Sequence, residues 1–430
     1  MREWESEGLD EHEGRHAAPS IFHSLTHPLS HSATQVAVVV WLAILVVVSM
    51  RGFMAPRAHS VYPIFADAAR HWLAGADLYR PTGEPFRYSP LVAAFLVPLS
   101  LLPDSIGGVF WRLLNAGVYL GALLWWCRAV LPWPLTRPQT ALLFLLIVPL
   151  SIGSLNNGQS NALVLGLLLA TMAGVACERW NLAAGCLALA CLFKVYPIAV
   201  GLLLTVVYGW RFGGRLLLAL GLGLALPFLL QEPEYVSAQY LGWCQHLQTN
   251  DRHSLQPDLW YRDLQLLCHT CNLTLGPKIY MLIQLLTGAA FAGICVLIRW
   301  HGRGERACLI LLQALGCCWM TLFGPATESC TYILVAPSLA WALLDAWSGP
   351  LLVQHFAGHA RRAGLLTSFT LFVVAQAAVW FPGGGRPLHA LGIQPLATLL
   401  FLVCQLLWEL RVLFVPARDK DLEFARAHAA

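Results

Sequence analysis

The chain has 430 residues, of which 57% are hydrophobic and only 12% are charged, and its formal net charge is +4. A soluble globular domain carries about 25% charged residues, so this composition indicates a protein that uses lipid as its solvent. The small and dispersed net charge gives no indication of nucleic-acid binding.

The chain begins with a polar segment and then becomes repeatedly apolar. Residues 1–33 are charged and rich in histidine, which predicts a disordered cytoplasmic tail and not a cleaved signal peptide. An HExxH pattern at 12–16 lies in this tail and contains a glycine, so we interpret it as a chance match. Runs long enough to cross a hydrocarbon core of about 30 Å follow; they lie near 34–50, 90–103, 107–127, 138–155, 160–177, 181–208, 214–231, 277–299, 306–323, 330–348, 363–381 and 390–411.

These runs predict an all-α polytopic membrane domain over 34–411, with about 10 to 13 transmembrane helices, and a cytoplasmic tail at 412–430. Lysine and arginine in short loops predict the cytoplasmic side; these are Arg211 and Arg215, then Arg299, Arg303 and Arg306, then Arg361 and Arg362. The polar segments 51–89 and 232–276 are then outer loops. The first of them contains IFADAARHWLAGA, whose spacing predicts an amphipathic helix on the membrane surface that ends near Gly75.

A polar hexapeptide, NNGQSN at 156–161, separates two apolar runs. Side-chain amides left unpaired in hydrocarbon cost about 2–7 kcal/mol each, so the segment needs partners in a cavity, in neighbouring protein or in interfacial water. If 181–208 forms a pair of short helices, the hexapeptide faces outside and one preceding short run is re-entrant. If 181–208 crosses once, the hexapeptide changes sides.

A few charged residues occupy positions that suit chemistry. Asp67 and Asp77 lie in the first outer loop near arginines, either as a general base beside a phosphate site or as members of a solvated helix with incidental ion pairs. Glu328, in the turn GPATES at 324–329, is either a functional acid or a carboxylate that stabilises a helix N-terminus. Lys194 is the only charge in a long apolar run, so it is either a snorkelling residue or the partner of a buried phosphate or carboxylate.

The second outer loop interleaves charges of both signs with Trp260 and Tyr261, which is typical of sugar binding and equally of a well-packed loop. Cys268 and Cys271 are interpreted as structural cysteines, free or paired, since a second CxxC for a zinc site is absent from the sequence. The sequence contains no Walker motif, no GxGxxG after a strand and no GxSxG. A sugar donor would therefore arrive through the membrane or be a lipid.

Several stretches, taken in order, resemble a known family: HWLAGADLY, RYSPL, LNNGQSNALVLGLLLA, AAGCLALACLFKVYP and GPATES. The family is the polyprenol-phosphate-mannose-dependent alpha-mannosyltransferases related to mycobacterial phosphatidylinositol-mannoside mannosyltransferase, within the glycosyltransferase-C superfamily. The similarity covers roughly residues 35–350. It implies a polyprenyl-phosphate sugar donor, a lipid or glycan acceptor on the extracytoplasmic side of the inner cell membrane, and an inverting direct displacement. A divalent metal is compatible with this chemistry but is not required.

The resemblance also implies roles for individual residues. The family usually has an Asp ahead of a Val-Tyr pair, whereas this chain reads His59-Ser60-Val61-Tyr62, so Asp67 is the nearest carboxylate for the catalytic base. The family's Trp-Glu-His-His turn corresponds to Thr327-Glu328-Ser329-Cys330, which keeps the acid and loses the imidazoles. The predicted site consists of catalytic Asp67 and Glu328, phosphate-binding Lys194, Arg87 and Arg262, and substrate-binding Tyr88, Gln159, Asn161, Tyr196 and His253.

An alternative function is a membrane transporter or lipid flippase without chemistry, in which Lys194 and Glu328 line a pathway. Transporters commonly contain paired inverted repeats with broken helices in matching positions, and we find no convincing internal repeat in this sequence. Long outer loops with surface helices after the first span favour the transferase.

Overall fold

The described part of the chain is helical. A computed structural model describes residues 21–79, 86–249, 256–348, 356–378 and 386–414, and every regular element within them is an α-helix or a short 3₁₀ helix. The first helices are α1 (Ile21–Met54), α2 (Tyr62–Leu73), α3 (Pro90–Ser100), α4 (Asp104–Ala129), α5 (Arg137–Leu146), α6 (Val148–Asn157), α7 (Asn161–Ala176), α8 (Trp180–Phe193) and α9 (Ile198–Tyr208). The others are α10 (Trp210–Ala225), α11 (Pro233–Thr249), α12 (Leu264–Thr270), α13 (Pro277–Trp300), α14 (Glu305–Phe323), α15 (Ala336–Ser348), α16 (Phe356–Ala378), α17 (Arg386–Ala390) and α18 (Ile393–Phe414), with 3₁₀ helices at Leu226–Leu229, Pro257–Leu259 and Ser329–Val335. The predicted all-α membrane class is confirmed.

The helices that are long enough to cross a membrane on their own are fewer than the apolar runs of the sequence. In the described ranges, seven helices are long and apolar enough to cross a membrane, or eight if the pair α5 and α6, bent by 52°, is one span. The predicted total of about 10 to 13 spans exceeds this count, which leaves out the shorter apolar helices. Helices α7, α8 and α9 are strongly apolar, but their 16, 14 and 11 residues reach only about 24, 21 and 17 Å at 1.5 Å per residue.

The first helix starts earlier than the apolar pattern predicts. Helix α1 begins at Ile21, earlier than the apolar run at 34, because helical backbone continues into its polar flank. Residues 1–20, including the HExxH pattern, and 415–430 lie outside the described residues. Helix α2 matches the predicted amphipathic segment, and it buries Phe65, Ala69 and Trp72.

Residues 180–208 form two short helices and not one crossing. The chain breaks at Lys194, whose backbone is extended (φ −146°, ψ 134°), and Pro197 follows ahead of α9. At the far ends of the pair, Arg211 contacts Glu178 at 3.2 Å. The α8–α9 pair is therefore a hairpin, and Lys194 lies at its tip.

The hairpin defines two ends of the helical bundle. We call the end at Lys194 the cavity end, after the cavity that lies there. At this end, the backbone N–H of Val61 donates to the Asn157 carbonyl at 2.8 Å, and Ser89 donates to the Leu192 carbonyl at 2.7 Å. The opposite end contains the Glu178–Arg211 pair. Helix α3 has both of its termini at the cavity end, since Tyr62 donates to the carbonyl of Leu99 at 2.9 Å. Helix α3 therefore starts and ends on the same side and does not cross, as predicted for one short run ahead of the hexapeptide.

Helix α7 lies at the centre of the bundle and is buried on all sides; Leu165, Leu168 and Met172 are fully buried. It packs closely on α4, because a Cβ added to Gly166 would lie 2.9 Å from the Tyr119 backbone. The first residue of α7 is Asn161, so this central helix fixes the end of the NNGQSN segment within the protein.

Candidate active site

The NNGQSN segment forms a tight turn between α6 and α7. Gly158 ends α6 with a left-handed backbone (φ 64°), a conformation that glycine adopts without steric cost. The turn places the side chains of Gln159 and Asn161 inside the protein, where they are 5% and 0% exposed. Buried amides at this depth need partners for every polar atom they present.

These two amides connect a cation to a carboxylate. Asn161 Oδ1 accepts hydrogen bonds from Lys194 Nζ at 2.7 Å and from the Tyr196 hydroxyl at 3.1 Å. Asn161 Nδ2 donates to Gln159 Oε1 at 2.5 Å, and Gln159 Nε2 donates to Glu328 Oε2 at 2.6 Å. We call Asn161 and Gln159 the amide relay. The relay holds this polar turn between two apolar runs, because each amide has protein partners at both of its ends.

Arg112, in α4, holds the same turn from behind. Its guanidinium donates to the Asn156 carbonyl at 3.1 Å, to the Ser60 hydroxyl at 2.9 Å and to the Gly108 carbonyl at 3.0 Å, and the residue is 3% exposed. The bond to Ser60 ties the loop after α1 to the turn before α7. Arg112 is thus a positioning residue for both segments.

Two further side chains of α4 reach the turn. Trp111 Nε1 donates to the Gly158 carbonyl at 2.8 Å, and Asn115 Oδ1 accepts from the backbone N–H of Leu163 at 3.1 Å. Sequence reasoning missed the contribution of α4. One signal was present, since Arg112 and Asn115 are polar residues one helical turn apart in an apolar run.

The relay borders a cavity of about 580 Å³ at the cavity end of the bundle. Its lining combines cations, one carboxylate, aromatic rings and apolar side chains. The polar and aromatic lining residues are Arg57, His59, Ser60, Arg87, Tyr88, Asn157, Gln159, Phe193, Lys194, Tyr196, Trp243 and Glu328. Glycosyl transfer uses these kinds of group: a proton acceptor, cations for a leaving phosphate, and rings and amides for sugar hydroxyls.

The cavity brings most of the predicted site together. Glu328, Lys194, Arg87, Tyr88, Gln159 and Tyr196 line it, and Asn161 lies directly behind, bonded to Lys194. Arg87 also donates to the Tyr261 hydroxyl at 3.0 Å, which fixes one edge of its guanidinium. Their roles in binding or catalysis stay predictions.

Glu328 occupies the start of the 3₁₀ helix Ser329–Val335. Its backbone N–H donates to Thr331 Oγ1 at 3.1 Å, and its side chain accepts from the backbone N–H of Thr331, which completes a capping box. Glu328 therefore fits both interpretations. Its carboxylate caps the 3₁₀ helix, and it also faces the cavity and accepts from Gln159.

Asp67 lies away from the cavity. Its side chain is 56% exposed and contacts Arg70 at 2.8 Å, and Arg70 in turn pairs with Asp104. The Asp104 carboxylate, hydrogen-bonded to Arg70, raises the pKa of that guanidinium. Helix α2 buries its Phe65 and Ala69 side, and this orientation turns Asp67 outward. The prediction of a catalytic Asp67 is not supported by its position, and the solvated interpretation describes it better.

Arg262 also lies outside the cavity lining. Its backbone N–H donates to the Thr327 carbonyl at 2.7 Å, and its guanidinium donates to the carbonyls of Asp258 and Trp260. The residue supports the turn that carries Glu328, and its geometry does not favour phosphate binding. His253 lies outside the described residues.

His59 lines the cavity. It precedes the Val61-Tyr62 pair, ahead of which the resembled family usually has an Asp. Its backbone is left-handed (φ 51°), which is strained for a residue with a side chain. In the described ranges, no group of three or more His, Cys, Asp or Glu side chains is arranged to hold a metal ion. The cysteines Cys268 and Cys271 are both free thiols.

Comparisons with known proteins agree with this geometry. Residues 86–325 match the model of Glycosyltransferase family 87. The chain is also 34% identical over 149 residues to GPI mannosyltransferase 1 of Trypanosoma brucei brucei (strain 927/4 GUTat10.1). That alignment covers 34% of this chain and 33% of the relative, so the chain spans about a third of the curated protein it matches. The family match covers more than half of the chain and includes Arg87, the amide relay and Lys194. The chain therefore belongs to glycosyltransferase family 87 and has the apolar helices of a multi-pass membrane protein.

Proposed function

We propose that the protein transfers a hexose, specifically mannose, from a polyprenyl-phosphate donor to a hydroxyl group of a lipid or glycan acceptor. The observation that carries this proposal is the amide relay, which joins Lys194 to Glu328 across one cavity. A cation and a carboxylate held apart in this way suit a leaving phosphate and an attacking hydroxyl. The family match favours this transfer chemistry over the transporter alternative.

The proposed step is a direct displacement with inversion. The acceptor oxygen forms a bond to the anomeric carbon while the bond from that carbon to the phosphate oxygen breaks. The acceptor proton passes to the Glu328 carboxylate, and the electron pair of the broken bond remains on the polyprenyl phosphate. Lys194 and Arg87 stabilise the charge that develops there, and a preorganised group of this kind contributes about 3–4 kcal/mol in comparable sites.

The lining of the cavity supports a lipid donor. Phe193, Val195 and Leu247 lie beside the cations, and Val195 and Leu247 are 39% and 40% exposed. These residues give an isoprenoid chain an apolar path away from the phosphate. The similarity to GPI mannosyltransferase 1 of Trypanosoma brucei brucei supports mannose as the sugar.

The charge distribution supports an extracytoplasmic active site in the inner cell membrane. Arg211, Arg215 and Arg299 lie at the opposite end of the bundle from the cavity, and loops rich in arginine face the cytoplasm. An acceptor would then reach Glu328 from outside the cell.

The donor class can be tested with the purified full chain in detergent. We expect transfer of radiolabelled mannose from polyprenyl-phosphate mannose to a membrane lipid extract, and no transfer from a nucleotide-linked mannose. Heat-denatured protein gives the background. Transfer from the nucleotide donor alone would contradict the proposal, and so would the absence of transfer from every polyprenyl-phosphate hexose offered.

A further inference from the structure

A second cavity, of about 500 Å³, lies at the opposite end of the bundle. It is formed where the α7–α8 turn, the α9–α10 junction and the α13–α14 turn meet. The residues that matter for its chemistry are Glu178, Trp180, Tyr208, Arg211, Arg299 and Glu305. Helix α8 separates it from Lys194, and its 14 residues extend about 21 Å. This cavity is therefore distinct from the catalytic one.

Two guanidinium groups in this cavity are fixed by aromatic rings. The Cζ of Arg211 lies 4.5 Å from the ring centroid of Trp180, and the Cζ of Arg299 lies 4.4 Å from that of Tyr208. Stacking uses the face of a guanidinium and leaves its N–H edge free to bind a phosphate. Within the described ranges, Arg299 makes no hydrogen bond to another side chain, so its donors are available to a ligand.

The same cavity contains two carboxylates. Glu178 contacts Arg211 at 3.2 Å, and Glu305 lies in the first turn of α14. Glu178 also has a left-handed backbone (φ 56°), a conformation that is strained for non-glycine residues and frequent at ligand sites. The lining contains two arginines and two glutamates. A simple anion would therefore meet two carboxylates, and a simple cation would meet two guanidiniums. A zwitterion satisfies both pairs.

The cavity lies at the level of a membrane interface. Trp210 and Trp300, which adjoin its lining in sequence, are 79% and 81% exposed, and tryptophan concentrates where the headgroups meet the hydrocarbon. Exposed apolar residues continue along the same helices toward the membrane centre; Leu202 and Val206 of α9 are 61% and 55% exposed. This surface suits the acyl chains of a molecule whose headgroup occupies the cavity.

We infer that this second cavity binds a phospholipid whose headgroup carries both a phosphate and a primary amine. The phosphate lies between the guanidiniums of Arg211 and Arg299, and the ammonium lies against Glu178 and Glu305. The site is separate from glycosyl transfer and does not depend on the proposed donor.

The inference can be tested by equilibrium binding to the purified full chain in detergent. The probes are dihexanoyl phosphatidylethanolamine, dihexanoyl phosphatidylglycerol and free phosphoethanolamine, each below its micelle concentration. We expect the first probe to bind most tightly. Arg299→Gln should weaken it about tenfold, because a charge-assisted hydrogen bond to phosphate is lost. Arg128→Gln, an exposed arginine at the end of α4, is the matched control and should leave the affinity unchanged.

A second variant protects the test against a loss of folding. Glu305→Gln should reduce the preference for the ethanolamine lipid over the glycerol lipid while it retains binding of both. Equal affinity of wild type and Arg299→Gln would overturn the inference. So would equal affinity for the two lipids in the wild type. Binding of phosphoethanolamine as tight as that of the lipid would show that the ligand is a soluble phosphate compound, and this result also overturns it.

Discussion

At the scale of single residues, Asn161 connects three other side chains of the site. Its carbonyl oxygen accepts from Lys194 and Tyr196, and its nitrogen donates to Gln159. Lys194 is half-buried at the cavity, so Asn161 Oδ1 replaces part of the solvent that would otherwise bind its ammonium. The relay therefore contributes to stability as well as to the geometry of the cavity.

Replacement of this side chain by an apolar one of similar size should destabilise the protein. For Asn161→Leu we expect the free energy of unfolding to fall by about 2–5 kcal/mol, since each buried partner left unpaired costs about 1–3 kcal/mol. Thermal unfolding in detergent measures this. The control is Asn181→Leu, where an exposed asparagine accepts from Arg215, and the expected change is below about 0.5 kcal/mol. Equal destabilisation by the two substitutions would contradict the role of the relay.

The residues of the relay were predictable because polar side chains in apolar runs are conspicuous. Gln159, Asn161, Lys194 and Glu328 each interrupt a hydrophobic pattern, and all four meet at the cavity. Asp67 does not, because the orientation of α2 about its own axis decides whether a surface carboxylate faces inward. That orientation depends on how Phe65 and Ala69 pack, which spacing along the chain does not reveal.

At the scale of elements, the contact between α4 and α7 positions the site. Helix α7 starts at Asn161, and α4 carries Trp111, Arg112 and Asn115, which hold the preceding turn. The two helices approach closely at Gly166. The cavity geometry therefore depends on a packing contact about one and a half helical turns away from the relay.

A methyl group at this contact should separate the helices. For Gly166→Ala we expect a loss of about 1–3 kcal/mol in unfolding free energy together with slower transfer, because the new Cβ meets the backbone of Tyr119 and Val118 at 2.9 Å. Gly117→Ala in α4 is the matched control, since nothing lies within 4 Å of its added Cβ. The control should be neutral or stabilising by up to about 1 kcal/mol. Chemical unfolding of both variants measures the difference, and no difference between them would refute the close contact.

Elements were predictable to different degrees. The hairpin of α8 and α9 follows from Lys194 and Pro197 within an apolar run, together with arginines that follow it. The predicted number of spans exceeds the count of long helices because several apolar runs form helices too short to be counted. Helix α7 is surrounded by other helices, and its Leu-rich sequence resembles that of a lipid-exposed span.

At the scale of the whole molecule, the two ends of the bundle differ in chemistry, and both carry arginine. The cavity end contains Glu328 and the relay, and the opposite end contains Arg211 and Arg299 with the second cavity. A reporter enzyme that is active only outside the cytoplasm should be active when fused after Leu273, which precedes α13, and inactive when fused after Gly302, which follows it. Activity in the reverse pattern would place the cavity on the cytoplasmic side and contradict the proposed orientation.

We propose that the carboxylate in the cavity, and not the one on α2, accepts the proton of the acceptor. The most direct measurement is the initial rate of mannose transfer from polyprenyl-phosphate mannose by purified Glu328→Gln and Asp67→Asn, with thermal unfolding to confirm that both fold. We predict that Glu328→Gln lowers the rate by about 10²–10⁴-fold, as expected for loss of a general base. Asp67→Asn should stay within about twofold of wild type, because an exposed ion pair contributes little. A rate abolished by Asp67→Asn and retained by Glu328→Gln would contradict the account.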